Sequence, residues 1–313
     1  MMREFDRIRR HFAPLVTSPG AAGLRDDVAE LSPGSGVQIA TTDTIVEGVH
    51  FLSGDPPETV GRKLVRVNVS DILAKGARPH EALLSLVWPA GRAEADLAAF
   101  ARGLGEDLMA FGVSLVGGDT TSGTEAIVAT LALTGTCIGA GPVRRSGGRP
   151  GDLLCVTGVI GCGLLGLRAA RGETGDSDMA DAYRVPRLAP LAAGELVARH
   201  ASAAMDISDG LLGDAAKLAD ASSVGVQIDL ADVPFAAPNA PAAERLGMAS
   251  AGDDYQILMA VAPDAFDTLA VSAASAGVGL TRIGVLTAKP GLDLRDGGRA
   301  VDLPDNLGFE HQG

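Results

Sequence analysis

The sequence predicts a two-domain α/β (α+β) protein, and three observations carry that prediction. Apolar runs of strand length alternate with alanine- and leucine-rich stretches of helical spacing. Several of those runs end in small residues followed by an aspartate, and a Gly/Arg/Pro-rich stretch, RRSGGRPG at 144–151, interrupts the pattern near the middle. With 313 residues, 46% of them hydrophobic, the chain is long enough to bury two cores.

In the first half, residues 37–40, 65–69, 82–87, 113–116 and 126–136 read as strands, from their β-branched and apolar runs. Helices are expected over 59–65, within 70–75 and over 93–111, the last with apolar residues at helical spacing. The interruption at 144–151 divides the chain into expected domains 1–145 and 146–313. Beyond it, 153–157 reads as a strand, 163–171 as a helix, and 172–181 as a polar, disordered tip. Ser208 is placed to cap a helix whose apolar positions Leu211, Leu212, Ala215, Leu218 and Ala219 share a face, and Gly225 to end it before a strand over 226–230.

A formal net charge of −13 argues against nucleic-acid partners, since such a surface repels a polyphosphate and carries no basic cluster to neutralise it. The same charge repels a nucleotide, so any nucleotide chemistry must import cations as placed arginines or bound metal. Residues 1–10 carry charges of both signs and no apolar run, and no later stretch is long enough to span a bilayer, so a cytoplasmic protein is expected. The three cysteines, Cys137, Cys155 and Cys162, lack Cys-x-x-Cys spacing and read as small buried hydrophobes in a reducing compartment.

The chemistry lies in the aspartates at the ends of apolar runs: VQIATTD at Asp43, VRVNVSD at Asp71, VSLVGGD at Asp119, AAMDISD at Asp206 with the following Asp209, and MASAGDD at Asp253 and Asp254. Asp26 and Asp27 form an earlier pair. Loops at strand ends hold the working groups of many α/β folds, and small neighbours let a ligand approach the backbone. Oxygen ligands without clustered His or Cys select hard cations, which points to Mg²⁺. Any one Asp also suits a turn or a helix cap, so the recurrence carries the reading. Arg145 and Arg149, beside Gly147 and Gly148, suit phosphate oxygens or a solvated linker equally. His50 closes the phrase TTDTIVEGVHF a few residues after Asp43 and reads either as a ligand-facing imidazole or as a structural one.

Gly161, Gly163 and Gly166 form a G-x-G-x-x-G between an expected strand and helix, which imitates a dinucleotide fingerprint. The fingerprint also expects an acidic residue closing a second strand about twenty residues on, and that region is a polar stretch, so a dehydrogenase is disfavoured. No G-x-x-x-x-G-K-[ST] occurs, so phosphates are not held by a P-loop.

Read in order, RDDVAEL from Arg25, TTDTIVEGVHF from Thr41, VNVSDILAKGARP from Val67, GGDTTSG from Gly117, RRSGGRPGD from Arg144, DISDGLLGD from Asp206 and AGDDYQIL from Ala251 resemble thiamine-monophosphate kinase. That family shares a superfamily with aminoimidazole ribonucleotide synthetase, selenophosphate synthetase and a hydrogenase maturation factor. The resemblance covers nearly the whole chain. It implies ATP-dependent phosphorylation of thiamine monophosphate, with several Mg²⁺ ions held by Asp27, Thr41, Thr42, Asp43, Asp71, Asp119, Asp206 and Asp209. It implies ATP contacts at Gly118, Arg145 and Ser208, and acceptor contacts at His50, Asp253 and Phe309. It further implies a homodimer in which a mixed sheet of the N-terminal domain pairs across the interface, and active sites near the junction of the two domains. Two positions depart from the family pattern: Arg25 replaces a glycine before the first Asp pair, and Gln256 replaces an acidic residue after Tyr255. The terminal cysteine expected of the maturation factor and the early Cys-Lys pair of the selenophosphate enzyme are absent from the sequence. Another ATP-dependent enzyme of the superfamily, or a non-catalytic divalent-metal-binding regulatory protein, are the alternative readings.

Overall fold

The structure is a computed structural model that describes residues 4–24, 29–32, 34–123 and 125–309. The chain divides into two compact units, residues 1–72 with 78–136 and residues 73–77 with 137–313.

In the first unit a short helical turn, α1 (Glu4–Arg7), precedes strand β1 (Gln38–Val46). Helix α2 (Pro57–Ala74), β2 (Ala77–Val87), helix α3 (Glu94–Ala110), β3 (Ser114–Thr121) and β4 (Val128–Cys137) follow. The sheet order is β1-β4-β2-β3, with β1 and β4 antiparallel and β2 and β3 parallel. It is therefore the mixed sheet that the resemblance implied. The expected strand over 65–69 is instead the middle of α2, which fuses the two short helices expected on either side of it. Val65, Val67 and Val69 are all buried, as are Leu64, Ile72 and Leu73. A helix enclosed on several sides needs apolar residues at successive positions, and that pattern imitates the alternation of a strand.

The second unit is built on a seven-stranded mixed sheet of order β11-β10-β7-β9-β5-β8-β6. Its elements run β5 (Leu153–Thr157), α4 (Cys162–Ala170), α5 (Ser177–Arg184), α6 (Ala193–His200), β6 (Ala201–Ile207) and α7 (Leu211–Ala221). Then come β7 (Gly225–Asp229), α8 (Ala242–Ser250), β8 (Gln256–Val261), α9 (Phe266–Ser275), β9 (Leu280–Thr287), β10 (Gly291–Asp296) and β11 (Arg299–Ala300). β5 and β8 are buried along their whole length and each is flanked by a strand on both sides, and their continuous apolar runs reflect cover on both faces.

Three local expectations are corrected here. The polar tip at 172–181 contains the start of α5, where the Asp176 carboxylate accepts the Met179 N–H at 3.0 Å and Ala180, Ala182 and Tyr183 are buried. The cap of α7 is Gly210 rather than Ser208. The helix closes at Ser222, with Ser223 in the left-handed region (φ 56°), so Gly225 opens β7 instead of ending the helix. Among the described residues no helix is long and apolar enough to cross a membrane.

Candidate functional site

In the first unit the pleat of β1 separates its three candidate residues. Thr41 and Asp43 lie on the half-buried face, and Thr42 on the exposed one. Asn68 and Asp71, three residues apart on α2, meet the half-buried face. The Thr41 hydroxyl donates to Asp71 Oδ2 at 2.5 Å, and the Asp43 backbone N–H donates to Asn68 Oδ1 at 3.0 Å. The Asn68 amide nitrogen is fixed in turn on the Leu64 carbonyl at 2.9 Å. Asn68 thus aligns strand and helix, a role the sequence reading missed because the residue lay inside an expected strand.

His50 follows β1 in a tight turn. Its Nδ1 accepts the Val46 backbone N–H at 3.0 Å, so in the neutral ring Nε2 carries the proton. The buried Lys63 donates to the His50 carbonyl at 2.9 Å and holds the turn from below.

On β3, Gly118 and the exposed Asp119 lie opposite Leu84 and Ser85 of β2. A Cβ on Gly118 would fall 1.9 Å from the Leu84 carbonyl oxygen, so only glycine fits. A cavity of about 130 Å³ opens beside them, walled by Phe12, Leu24, Leu83 and Leu115. Asp27 lies outside the described residues.

The second unit gathers three loops. At the end of β6, Asp206 is buried and Ser208 and Asp209 are half-buried. The loop between α8 and β8 lies against them, since Asp253 N–H donates to the Ser208 carbonyl (2.9 Å) and Tyr255 N–H to the Ile207 carbonyl (2.8 Å). A Cβ on Gly252 would come within 2.4 Å of the Ser208 oxygen, which explains the small residue there. The third loop starts α4: Gly161 and Gly163 donate their N–H groups to Asp254 Oδ2 and Oδ1 at 2.8 and 2.9 Å. The G-x-G-x-x-G therefore does have the strand–turn–helix context of a phosphate loop, with the anion seat taken by the protein's own carboxylate. Burial pushes the Asp254 carboxyl up to about 7; the N–H groups of Gly163, Gly161 and Cys162 pull it down, and neighbouring Asp253 adds to the rise.

Asp214, fully buried in the first turn of α7, accepts the N–H groups of Ser208 and Asp209 on one oxygen, both at 3.0 Å. Lys217 bridges Asp214 and Asp209. Burial raises the Asp214 carboxyl above its ordinary range, with Lys217 opposing the rise. The C-terminal segment joins the same corner, where the Phe309 N–H donates to the Asp209 carbonyl at 2.8 Å while its ring stays half exposed. Arg145 is exposed, and its carbonyl accepts the Ser222 hydroxyl at 2.9 Å. Asp214 and Asp254 both sit inside phrases the sequence reading had singled out, and each is buried with its carboxylate spent on backbone N–H groups.

Among the described residues no three His, Cys, Asp or Glu side chains converge into a ready metal cage. Each unit holds its candidate donors as carboxylate oxygens in small numbers, Asp43 and Asp71 at β1 and α2 in the first, Asp206 and Asp209 at the end of β6 in the second. That pattern fits Mg²⁺, which proteins commonly reach through one or two carboxylates, water and substrate phosphate, better than a cation needing an all-protein shell.

Comparison with known proteins follows the same division. The model of the AIR synthase related protein N-terminal domain matches residues 25–140, and that of the C-terminal domain matches residues 149–297. A thiamine-monophosphate kinase from Caulobacter vibrioides is 40% identical, over 98% of this chain and 90% of that protein. The chain belongs to the thiamine-monophosphate kinase family. The crystal structure of the thiamine-monophosphate kinase from Stenotrophomonas maltophilia superposes with a TM-score of 0.77 at 30% identity, covering 88% of this chain and 90% of that one. AaThiL, solved in complex with AMPPCP and TMP, superposes with a TM-score of 0.76 at 27% identity over 99% of both chains. Within the thiamine-monophosphate kinase pattern, this chain's Gln256 is buried, with Oε1 accepting the Thr157 hydroxyl (3.0 Å) and Nε2 donating to the Arg187 carbonyl (2.6 Å). An acidic side chain there would lose the second bond, so the amide suits its surroundings.

Proposed function

We propose that this protein transfers the γ-phosphoryl group of ATP to thiamine monophosphate, forming thiamine diphosphate and ADP. The observation that carries the reading is the likeness, over 99% of both chains, to a structure holding an ATP analogue together with TMP. The oxygen-only carboxylate sets, Asp43 within β1 with Asp71 on α2, and Asp206 with Asp209 at the end of β6, support it.

Asp27, Thr41, Thr42, Asp43, Asp71, Asp119, Asp206 and Asp209 would hold Mg²⁺. When bound, the metal neutralises the charge that builds as two anionic phosphates approach. Thr41 keeps the Asp71 carboxylate aimed through its hydroxyl, and Asp214 with Lys217 does the same for Asp209. The Gly118 backbone, the Arg145 guanidinium and the Ser208 hydroxyl bind ATP. His50 offers its Nε2–H to the acceptor, Asp253 faces the acceptor's cationic ring, and Phe309 packs on the ring system.

The acceptor phosphate is a dianion near neutral pH and attacks in line without a general base. No phosphoenzyme forms. We further propose a homodimer working in the cytoplasm, checked by solution mass at assay concentration.

The deciding experiment incubates purified protein with ATP, Mg²⁺ and thiamine monophosphate and follows ADP and thiamine diphosphate by chromatography, with thiamine as the control acceptor. Equal formation of both products is expected. ADP without thiamine diphosphate would move the acceptor elsewhere in the superfamily, and no turnover with any metal would overturn the kinase.

A further inference from the structure

Two non-glycine residues in the loop before β8, Asp253 (φ 71°) and Tyr255 (φ 49°), hold left-handed backbone, and between them stands Asp254, only 3% exposed. Such conformations are unfavourable for side chains with a Cβ and persist where the surroundings over-determine them. Here the surroundings are specific. Asp254 grips two N–H groups at the start of α4, where the helix dipole also favours a carboxylate. The flanking N–H groups of Asp253 and Tyr255 are tied to the end of β6, and the Tyr255 hydroxyl donates to Asp253 Oδ1 at 3.1 Å.

We propose that Asp254 is a positioning residue for acceptor binding: by fastening the Asp253–Tyr255 turn to the first turn of α4, it fixes the direction of the Asp253 carboxylate. The proposal rests on the acceptor role given to Asp253 above. With the clamp gone, the left-handed residues on either side lose the contact that holds them between β6 and α4, and Asp253 relaxes away from its aimed conformation. Asn is the same size as Asp but turns an N–H₂ toward one of the two backbone N–H groups, so Asp254→Asn breaks the grip without opening a cavity.

The test measures steady-state kinetics of Asp254→Asn, Asp253→Ala and the double variant, varying each substrate in turn. Asp254→Asn is expected to raise KM for thiamine monophosphate about tenfold while KM for ATP and kcat change by less than about twofold, the pattern of lost acceptor binding. In the Asp253→Ala background the second substitution should add nothing, because it acts through a group already removed. Equal rises in both KM values, a drop confined to kcat, or additive effects in the double variant would overturn the proposal. So would a raised KM in Asp253→Ala beside a normal one in Asp254→Asn, and that outcome leaves the acceptor reading standing. An unchanged KM in Asp253→Ala would remove the acceptor from Asp253 and the proposal with it. Should Asp254→Asn fail to fold, Asp254→Ser, which keeps one acceptor oxygen, is measured in the same way.

Discussion

Asp214 accepts the backbone N–H of Asp209 at 3.0 Å, and the same oxygen takes the Ser208 N–H. The first turn of α7 and the loop that carries a proposed metal ligand are thereby one mechanical piece. Asp214→Ala would strand two backbone donors and release Lys217 from one of its two partners. A loss of roughly 3 kcal/mol is expected from such orphaned groups, or on the order of 5–10 °C in Tm for a unit of this size. Thermal unfolding followed by circular dichroism measures it, and an unchanged Tm would show that the loop holds itself.

Thr41→Val keeps the shape of the side chain and removes the hydroxyl bonded to Asp71. Groups that orient metal-binding carboxylates commonly matter by about tenfold or more in metal affinity. The Mg²⁺ concentration giving half-maximal ADP formation should therefore rise about tenfold, with Tm nearly unchanged. Identical Mg²⁺ titrations in the two proteins would take Thr41 out of the metal site.

Gly118→Ala tests the closeness of β2 and β3. The new methyl carbon would lie 1.9 Å from the Leu84 carbonyl oxygen, a backbone atom that cannot rotate aside. The strand pair must part in the middle of β3, at a residue proposed to contact ATP. We expect destabilisation of about 3 kcal/mol or more, seen as a lower urea midpoint. A variant as stable as the parent would mean that the strands separate easily there.

The sequence made the two-domain α/β class legible because strand-length apolar runs such as 153–157 are short and closed on both sides by glycine-bearing turns, Gly151 before and Gly158 after. It misled at 65–69, where valines at alternate positions suit a strand and an enclosed helix equally; burial on several sides of α2, at Leu64, Ile72 and Leu73 as well as the valines, is what decides. The carboxylates of the candidate site were legible as a recurrence after apolar runs. Their supports were not. Asp214, Asp254 and Asn68 resemble the neighbouring candidates in composition, and their supporting role shows only in which backbone and side-chain groups each one meets, for Asp254 across a 91-residue separation from Gly163.

Asp254 also predicts a pH dependence of stability, and its sign follows from which state holds the proton. In the unfolded chain an aspartate titrates near 4, whereas burial pushes the folded carboxyl up to about 7. Between those values the folded protein binds a proton that the unfolded chain has released, so stability from this group falls as pH rises through the window. Its contribution is fully present below about 4 and lost above about 7. Asp254→Asn cannot titrate and serves as the reference, because the other carboxylates cancel in the comparison. The Tm of the parent relative to Asp254→Asn should decline steadily from pH 5 to pH 7 and level off above it. A difference that stays flat across that range would mean that the N–H groups of Gly161, Cys162 and Gly163 outweigh burial and keep Asp254 ionised throughout.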